Sequence, residues 1–278
     1  MSTAGNLWLA ANPSKRWAEV FFLAYSPFWV AWALCILVPF QLYEHLNEWG
    51  YLMVGLAAAL PCLAVPLLLQ NKADEGKPWY DWFWVKANVW VAIFGFVGNY
   101  FWTHYFFNLL GAAYTLPSHR LNGIPVVMFL MTHAYFLFYH ALANLVLRRV
   151  EAHLSHAPLG TRKVARALAV FLLSYATALM ETLTIAHFPY YTFIDRSKMY
   201  SIGSLFYAIY FFVSFPMFMR LDEQVAGRRW SLREVALDAL AAGMLVTLLL
   251  DFWRITVGGI VDSPAAAAGL QWAVDVQG

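Results

Sequence analysis

Residues 165–187 read ARALAVFLLSYATALMETLTIAH, and a single carboxyl, Glu181, sits deep in that otherwise apolar and hydroxyl-bearing run. A helix needs about 20 mostly apolar residues to cross a hydrocarbon core, so the stretch reads as a membrane span. Ser174, Thr177, Glu181 and Thr184 follow one another at helical spacing, which predicts one polar face turned into a bundle. An ionised carboxyl at that depth is costly, so Glu181 must be paired, wet or protonated. It is the best general-acid candidate in the chain. The plainer reading is a buried hydrogen bond joining two helices.

The rest of the chain agrees with a lipid solvent. Of 278 residues 62% are apolar and 12% charged, against roughly 25% charged in an ordinary soluble domain. Apolar stretches at about 20–42, 51–70, 85–107, 125–147, 165–187, 202–219 and 235–253 predict an all-α integral membrane protein, a single bundle of about seven transmembrane helices. Three regions follow: an N-terminal interfacial segment 1–19, a transmembrane domain 20–257 and an Ala-rich tail 258–278. Asn12 followed by Pro13 marks a helix start in the interfacial segment. No basic start, short apolar core and small-residue cleavage site occur in that order, so no cleavable signal is expected. A net charge of +2, with scattered basic residues, excludes an electrostatic nucleic-acid binder. Cys35 and Cys62 lie in apolar runs and read as packing residues.

Counting Lys and Arg in alternate connections places fourteen on one side and four on the other. The rich side holds Lys15, Lys86, Arg148 and Arg220 among others; the poor side holds Arg120, Arg196, Lys198 and Arg254. This asymmetry predicts a cytoplasmic N-terminus.

Other polar groups interrupt the spans. His133 and His140 are seven residues apart on one expected helix face, with Asn144 one turn further on. Each is a candidate proton relay or polar contact, and each is equally a candidate interhelical hydrogen bond. The string Gly98 to Tyr105, GNYFWTHY, brings Asn99, Tyr100, Trp102 and His104 into the third span. Asp251 in the last span has Arg254 three residues on, which predicts a local ion pair. Asp222 and Glu223 read with Arg220 as loop charges. With the expected topology, Asn99, His104, His133, Glu181 and Asp251 share the outer half of the membrane, as groups converging on a buried reaction site would. Metal ligation is not expected, because the histidines are dispersed.

Several strings then match a known family in order: Asn12 to Trp17 (NPSKRW), Trp84 to Asn88 (WVKAN), Gly98 to Phe107 (GNYFWTHYFF), Thr132 to His140 (THAYFLFYH), His187 to Tyr200 (HFPYYTFIDRSKMY) and Gly203 to Arg220 (GSLFYAIYFFVSFPMFMR). From about Leu7 to Trp253 the chain resembles the cycloeucalenol cycloisomerase family of cyclopropyl sterol isomerases. The resemblance implies opening of the 9β,19-cyclopropane ring of a 4α-methyl sterol to a Δ8 sterol, obtusifoliol, without a cofactor. It implies a sterol substrate, membrane lipid as surroundings, and a multi-pass location: endoplasmic reticulum in a eukaryote, cytoplasmic or internal membrane in a bacterium. The chemistry requires a proton at the ring methylene, tolerance of positive charge at C9, and loss of the C8 proton. On residue type and depth, the expected donor is Glu181 and the expected acceptor His133 or His104. Asn99, His140, Asn144, Tyr100, Trp102 and Asp251 are expected to contact substrate. A sterol-binding protein without catalysis and a sterol double-bond isomerase are the competing readings.

Overall fold

A computed structural model describes residues 8–262 apart from residues 70, 186, 226 and 227. Helix α1 (Pro13–Ala31) continues through a π-helical stretch, Trp32–Leu37. Then come α2 (Glu48–Ala59), α3 (Pro61–Leu69) and α4 (Phe83–Val97), the last running through a second π stretch, Gly98–Trp102, into α5 (Thr103–Leu110). Helices α6 (Val126–His153) and α7 (Leu159–Ile185) follow. A short α8 (Arg196–Lys198) and a π stretch, Met199–Gly203, lead into α9 (Ser204–Met219), and α10 (Leu232–Thr256) comes last.

Six of these segments are long and apolar enough to cross a bilayer: Pro13–Leu37, Glu48–Leu69, Val126–His153, Leu159–Ile185, Arg196–Met219 and Leu232–Thr256. They overlap six of the seven expected spans. The remaining one, 85–107, is helical as α4, its π stretch and α5, but its polar residues dilute the apolar run. Its position explains that composition: Lys86, Ala87, Trp90, Val91, Phe94, Trp102 and Tyr105 have no exposed surface. A helix enclosed by α1, α6 and α10 has little face to offer lipid and can satisfy polar groups within the protein. The peripheral helices show the opposite, exposing Phe28, Leu68, Met244 and Phe252, as lipid-facing surfaces do.

Both terminal segments are described only in part. Among the described residues of 1–19, helix begins at Pro13. Asn12 does cap the helix, accepting from the Ser14 amide at 3.0 Å, but α1 then runs unbroken into the membrane-length segment. In the basic first turn Lys15 is wholly buried and satisfied inside the protein, while Arg16 is exposed. At the other end the division at 258 falls inside packed structure. The amides of Ile260 and Val261 donate to the Leu109 carbonyl, and both side chains are buried. Residues 1–7 and 263–278 of these two segments lie outside the described residues.

Between spans the chain forms two small antiparallel pairs. Strand β1 (Ala113–Tyr114) pairs with β4 (Tyr191–Thr192), joining the connection after α5 to the one after α7. Strands β2 (Arg120–Leu121) and β3 (Ile124–Pro125) form a hairpin around Asn122 and Gly123. Both turn residues have positive φ, 52° and 74°, the pairing that a two-residue hairpin turn with the sheet's own twist demands.

The opposite end is tied by buried ion pairs. Arg148 on α6 reaches Glu223 at 2.7 Å and Glu19 at 2.8 Å. Lys15 reaches Glu223 at 2.8 Å and donates to the carbonyls of Met219 and Leu221. Lys86 pairs with Asp222 at 2.7 Å, and Arg220 pairs with Asp238, which also accepts from the Trp90 indole. Asp222 and Glu223 are therefore not loop charges of Arg220. They clamp α1, α4 and α6 to the α9–α10 connection through Lys15, Lys86 and Arg148.

Candidate acid site in the bundle

Glu181 projects from α7 towards α6 and α9. Ser174, Ala178 and Thr182, four residues apart, form the buried stripe of α7 packed on α9, and Thr182 meets Ser204 at 3.3 Å. Glu181 stands on the shoulder of that stripe. Thr184, expected on the same face, is exposed and bonds back to the Glu181 carbonyl, so the polar face is narrower than its spacing suggests.

The Tyr207 hydroxyl donates to Glu181 Oε2 at 2.8 Å. Tyr139 on α6 supplies a second phenol to the same carboxyl. Tyr135, one turn before Tyr139, lies 5.6 Å from it ring to ring. Its hydroxyl is 2.9 Å from Thr132 Oγ1, which accepts from the Asn99 side-chain amide at 3.0 Å. The Asn99 N–H donates to Thr132, and either hydroxyl of the Thr132–Tyr135 pair can be the donor to the other. Phe106, Tyr210 and Phe211 pack around Tyr207 at 4.8–5.7 Å between ring centroids. Over this cluster the register of β1 and β4 sets Tyr114 opposite Tyr191, stacked at 4.3 Å. Burial and then the neighbouring Glu181 carboxyl push the Tyr114 phenol above its ordinary range, opposed by its hydrogen bond with Tyr191. Glu181, Tyr135, Tyr139 and Tyr114 are only half-buried while Tyr207, Tyr210 and Tyr191 are buried, so the cluster is accessible on one side. Among the described residues no Lys or Arg forms an ion pair with Glu181; its partners are neutral hydroxyls.

The other expected site residues are dispersed. His133 Nε2 meets Asn88 Oδ1 at 2.7 Å, and the Asn88 amide donates to the carbonyls of Cys62 and Trp84. The Asn88 oxygen is thus the acceptor and His133 the donor. His133 faces α4, whereas Tyr135, two residues and about 200° round the helix, faces Glu181. The structure does not bring His133 to the carboxyl. His140 has both ring nitrogens engaged, by the Phe136 carbonyl at 2.7 Å and Ser214 at 2.9 Å, and is fully buried: it is a packing histidine. Asn144 donates to Glu19 at 3.0 Å and belongs to the ion-pair cluster, since α6 has by then descended to the far end. Trp102 donates to Thr247 at 2.8 Å within the core. Asp251 pairs with Arg254 at 2.8 Å, as the spacing predicts, and accepts from Tyr105. Tyr100 stacks on Phe96 and takes an Asn122 amide bond on its carbonyl. His104 is buried beside Phe107, with Nε2 unpartnered. Asn99 alone of the expected contacts joins the Glu181 cluster, through Thr132 and Tyr135. Sequence reasoning missed the phenols. Their signal was present as Tyr135 and Tyr139 at i,i+4 and Tyr207 and Tyr210 at i,i+3.

A helical membrane bundle holding a cation-free carboxyl among phenols defines a multi-pass membrane protein with an interior acid site. The chain is 50% identical over 275 residues, 98% of both sequences, to cycloeucalenol cycloisomerase of Arabidopsis thaliana, and it belongs to the cycloeucalenol cycloisomerase family. It is an enzyme, an isomerase. No family model matches the sequence. No solved structure matches it.

Proposed function

We propose that this chain opens the 9β,19-cyclopropane ring of cycloeucalenol-type sterols to the Δ8 sterol obtusifoliol, with Glu181 as the proton donor. The observation that carries the reading is the Glu181 carboxyl itself, held by the Tyr207 hydroxyl at 2.8 Å, free of any cation among the described residues and half-buried among aromatic rings. A carboxyl with only neutral neighbours in an apolar chamber keeps its proton and can donate it. Its proton bonds to C19 using the electron pair of the breaking C9–C19 bond, and positive charge appears at C9. The half-buried rings of Tyr135 and Tyr139 offer negative potential to that charge. Loss of the C8 proton then closes the C8–C9 double bond, so the conversion is redox-neutral. Asn99 and Thr132 act at one remove by orienting the Tyr135 hydroxyl.

The proposal includes a seven-span arrangement in which Phe83–Leu110 also crosses the membrane, with the N-terminus in the cytoplasm. Fourteen basic residues against four support that orientation. The protein then resides in the endoplasmic reticulum of a eukaryote or the cytoplasmic or internal membrane of a bacterium.

Expression in cells that accumulate cycloeucalenol, followed by lipid extraction, tests the function. Obtusifoliol appears with the wild-type chain and not with Glu181→Gln at equal protein level. Sterol retained unchanged would identify a binding protein, and conversion of a Δ8 sterol alone would identify a double-bond isomerase. Wild-type turnover by Glu181→Gln would remove Glu181 as donor.

A further inference from the structure

We infer that Glu181 performs both proton transfers, one carboxyl oxygen giving the proton to C19 and the carboxylate so formed removing the proton from C8. This rests on the proposed ring opening and names the base for it.

The second step needs a base within reach of the first. The groups facing Glu181 are the phenols of Tyr135 and Tyr139 from α6, Tyr207 and Tyr210 from α9, and Tyr114 and Tyr191 from the β1–β4 pair. None is a base while neutral, since a phenol ordinarily ionises only near pH 10. The stronger bases are committed elsewhere. His133 donates into Asn88 on the opposite face of α6, and His140 has both nitrogens bonded in the core. Asp251 is tied to Arg254. His104 retains a free Nε2 and packs on Phe107, which packs in turn on Tyr114, so one ring separates it from the phenols around Glu181, and among the described residues it makes no hydrogen bond to the carboxyl. Once Glu181 has given its proton, its own carboxylate is the strongest base in the chamber.

The substrate geometry fits one carboxyl. C19 and C8 are both bonded to C9, so they stand two bonds apart, as do the two oxygens of a carboxyl. Tyr207 on Oε2 fixes the plane of the group between them. The balance closes within one turnover: the Glu181 O–H and C9–C19 bonds break, and the C19–H bond forms. The C8–H bond then breaks, its pair becomes the C8=C9 double bond, and its proton restores the Glu181 O–H. No proton is drawn from or returned to water. The scheme requires the C8 hydrogen to lie on the sterol face that carries the methylene bridge.

The test is the pH dependence of kcat for the full-length wild-type protein in lipid vesicles supplied with cycloeucalenol, over the range where circular dichroism shows the fold intact. A single carboxyl that starts protonated and ends protonated gives one limb. The rate holds constant on the acid side and falls about tenfold per pH unit once the carboxyl ionises. A separate histidine base must itself be deprotonated, so it adds a second limb, with activity falling towards acid between about pH 5 and 7. That bell shape would overturn the inference and point to His104. The two readings fail separately. An inactive Glu181→Gln with a two-limbed profile removes only the shared role, whereas an active Glu181→Gln removes the donor itself.

Discussion

Replacing Tyr207 by Phe deletes one hydroxyl and keeps the ring that packs on Phe106, Tyr210 and Phe211. The deleted bond is the 2.8 Å contact to Glu181 Oε2. Its worth changes along the reaction. While Glu181 is neutral, a net hydrogen bond contributes about 1 kcal/mol, and once the carboxylate forms, the same donor contributes about 1.5–3 kcal/mol. Only the difference, about 0.5–2 kcal/mol, acts on the barrier, because binding substrate and transition state equally leaves kcat unchanged. At 1.36 kcal/mol per tenfold, Tyr207→Phe lowers kcat roughly 2- to 30-fold. KM stays near the wild-type value, since the hydroxyl touches the acid and not the sterol. Initial rates of obtusifoliol formation at graded cycloeucalenol concentrations separate the two parameters. A kcat within twofold of wild type, or a defect confined to KM, would refute the idea that this phenol stabilises charge developing on Glu181.

The ion-pair cluster makes its own predictions. Arg148→Gln leaves Glu19, 1% exposed, and Glu223 short of their guanidinium, and should cost about 3–5 kcal/mol as broken buried pairs do, read as a lowered Tm in detergent. Arg166→Ala, which breaks an exposed pair with Glu151, should change stability by no more than about 1 kcal/mol in the same assay. Burial alone would push the Glu223 carboxyl up, but hydrogen bonds from Arg148 and the charge of Lys15 outweigh it and hold it below the ordinary range. A lowered folded value contributes stability above the unfolded carboxyl's ionisation, near pH 4.3, and loses it as pH falls through the folded value. The Tm gap between wild type and Glu223→Gln should therefore be widest near neutral pH and shrink below about pH 4. His140→Phe removes two bonds made inside the core and should cost about 1–3 kcal/mol of stability while leaving kcat per folded molecule unchanged. A selective loss of kcat would return His140 to the site.

Local features were legible because local rules decide them. Asn12 with Pro13 opens α1, Asp251 finds Arg254 one turn away, and six apolar runs become membrane-length helices. Asn88 and Asn99 lie on one stripe of a regular helix by their spacing, and both face α6, where they meet His133 and Thr132. What period alone does not carry is which face meets which helix. Lys86 and Asp222 are 136 positions apart, and their pairing follows from how the α9–α10 connection folds back on α4. His133 illustrates the same limit: residue type and depth suggest a relay, and the structure turns its ring to Asn88 on α4. Beyond Gly98 even the period is interrupted. The π stretch Gly98–Trp102 inserts a wider turn, so faces projected from α4 do not continue into α5, and His104 lands beside the β2–β3 hairpin's Asn122 instead of the carboxyl.

The placement of charge separates the proposed acid, Glu181, from the fixed cations of the same apolar body. Lys15, Lys86 and Arg148 would each stabilise a carboxylate strongly at close range, and a cation beside Glu181 would strip the proton that the proposed chemistry needs. They are instead consumed by Glu19, Asp222 and Glu223 at one end of the bundle. That leaves Glu181 with donors that hold its geometry without fixing its charge. A phenol bonds to either protonation state, which is what a group that must first release and then regain a proton requires of its neighbours. Introducing a lysine at Tyr139, one of the two phenols on the carboxyl, tests this directly. Tyr139→Lys should abolish ring opening by holding Glu181 ionised, while Tyr139→Phe, which removes a donor and adds no charge, keeps measurable turnover. Equal activity in the two variants would show that the neutrality of the chamber is incidental.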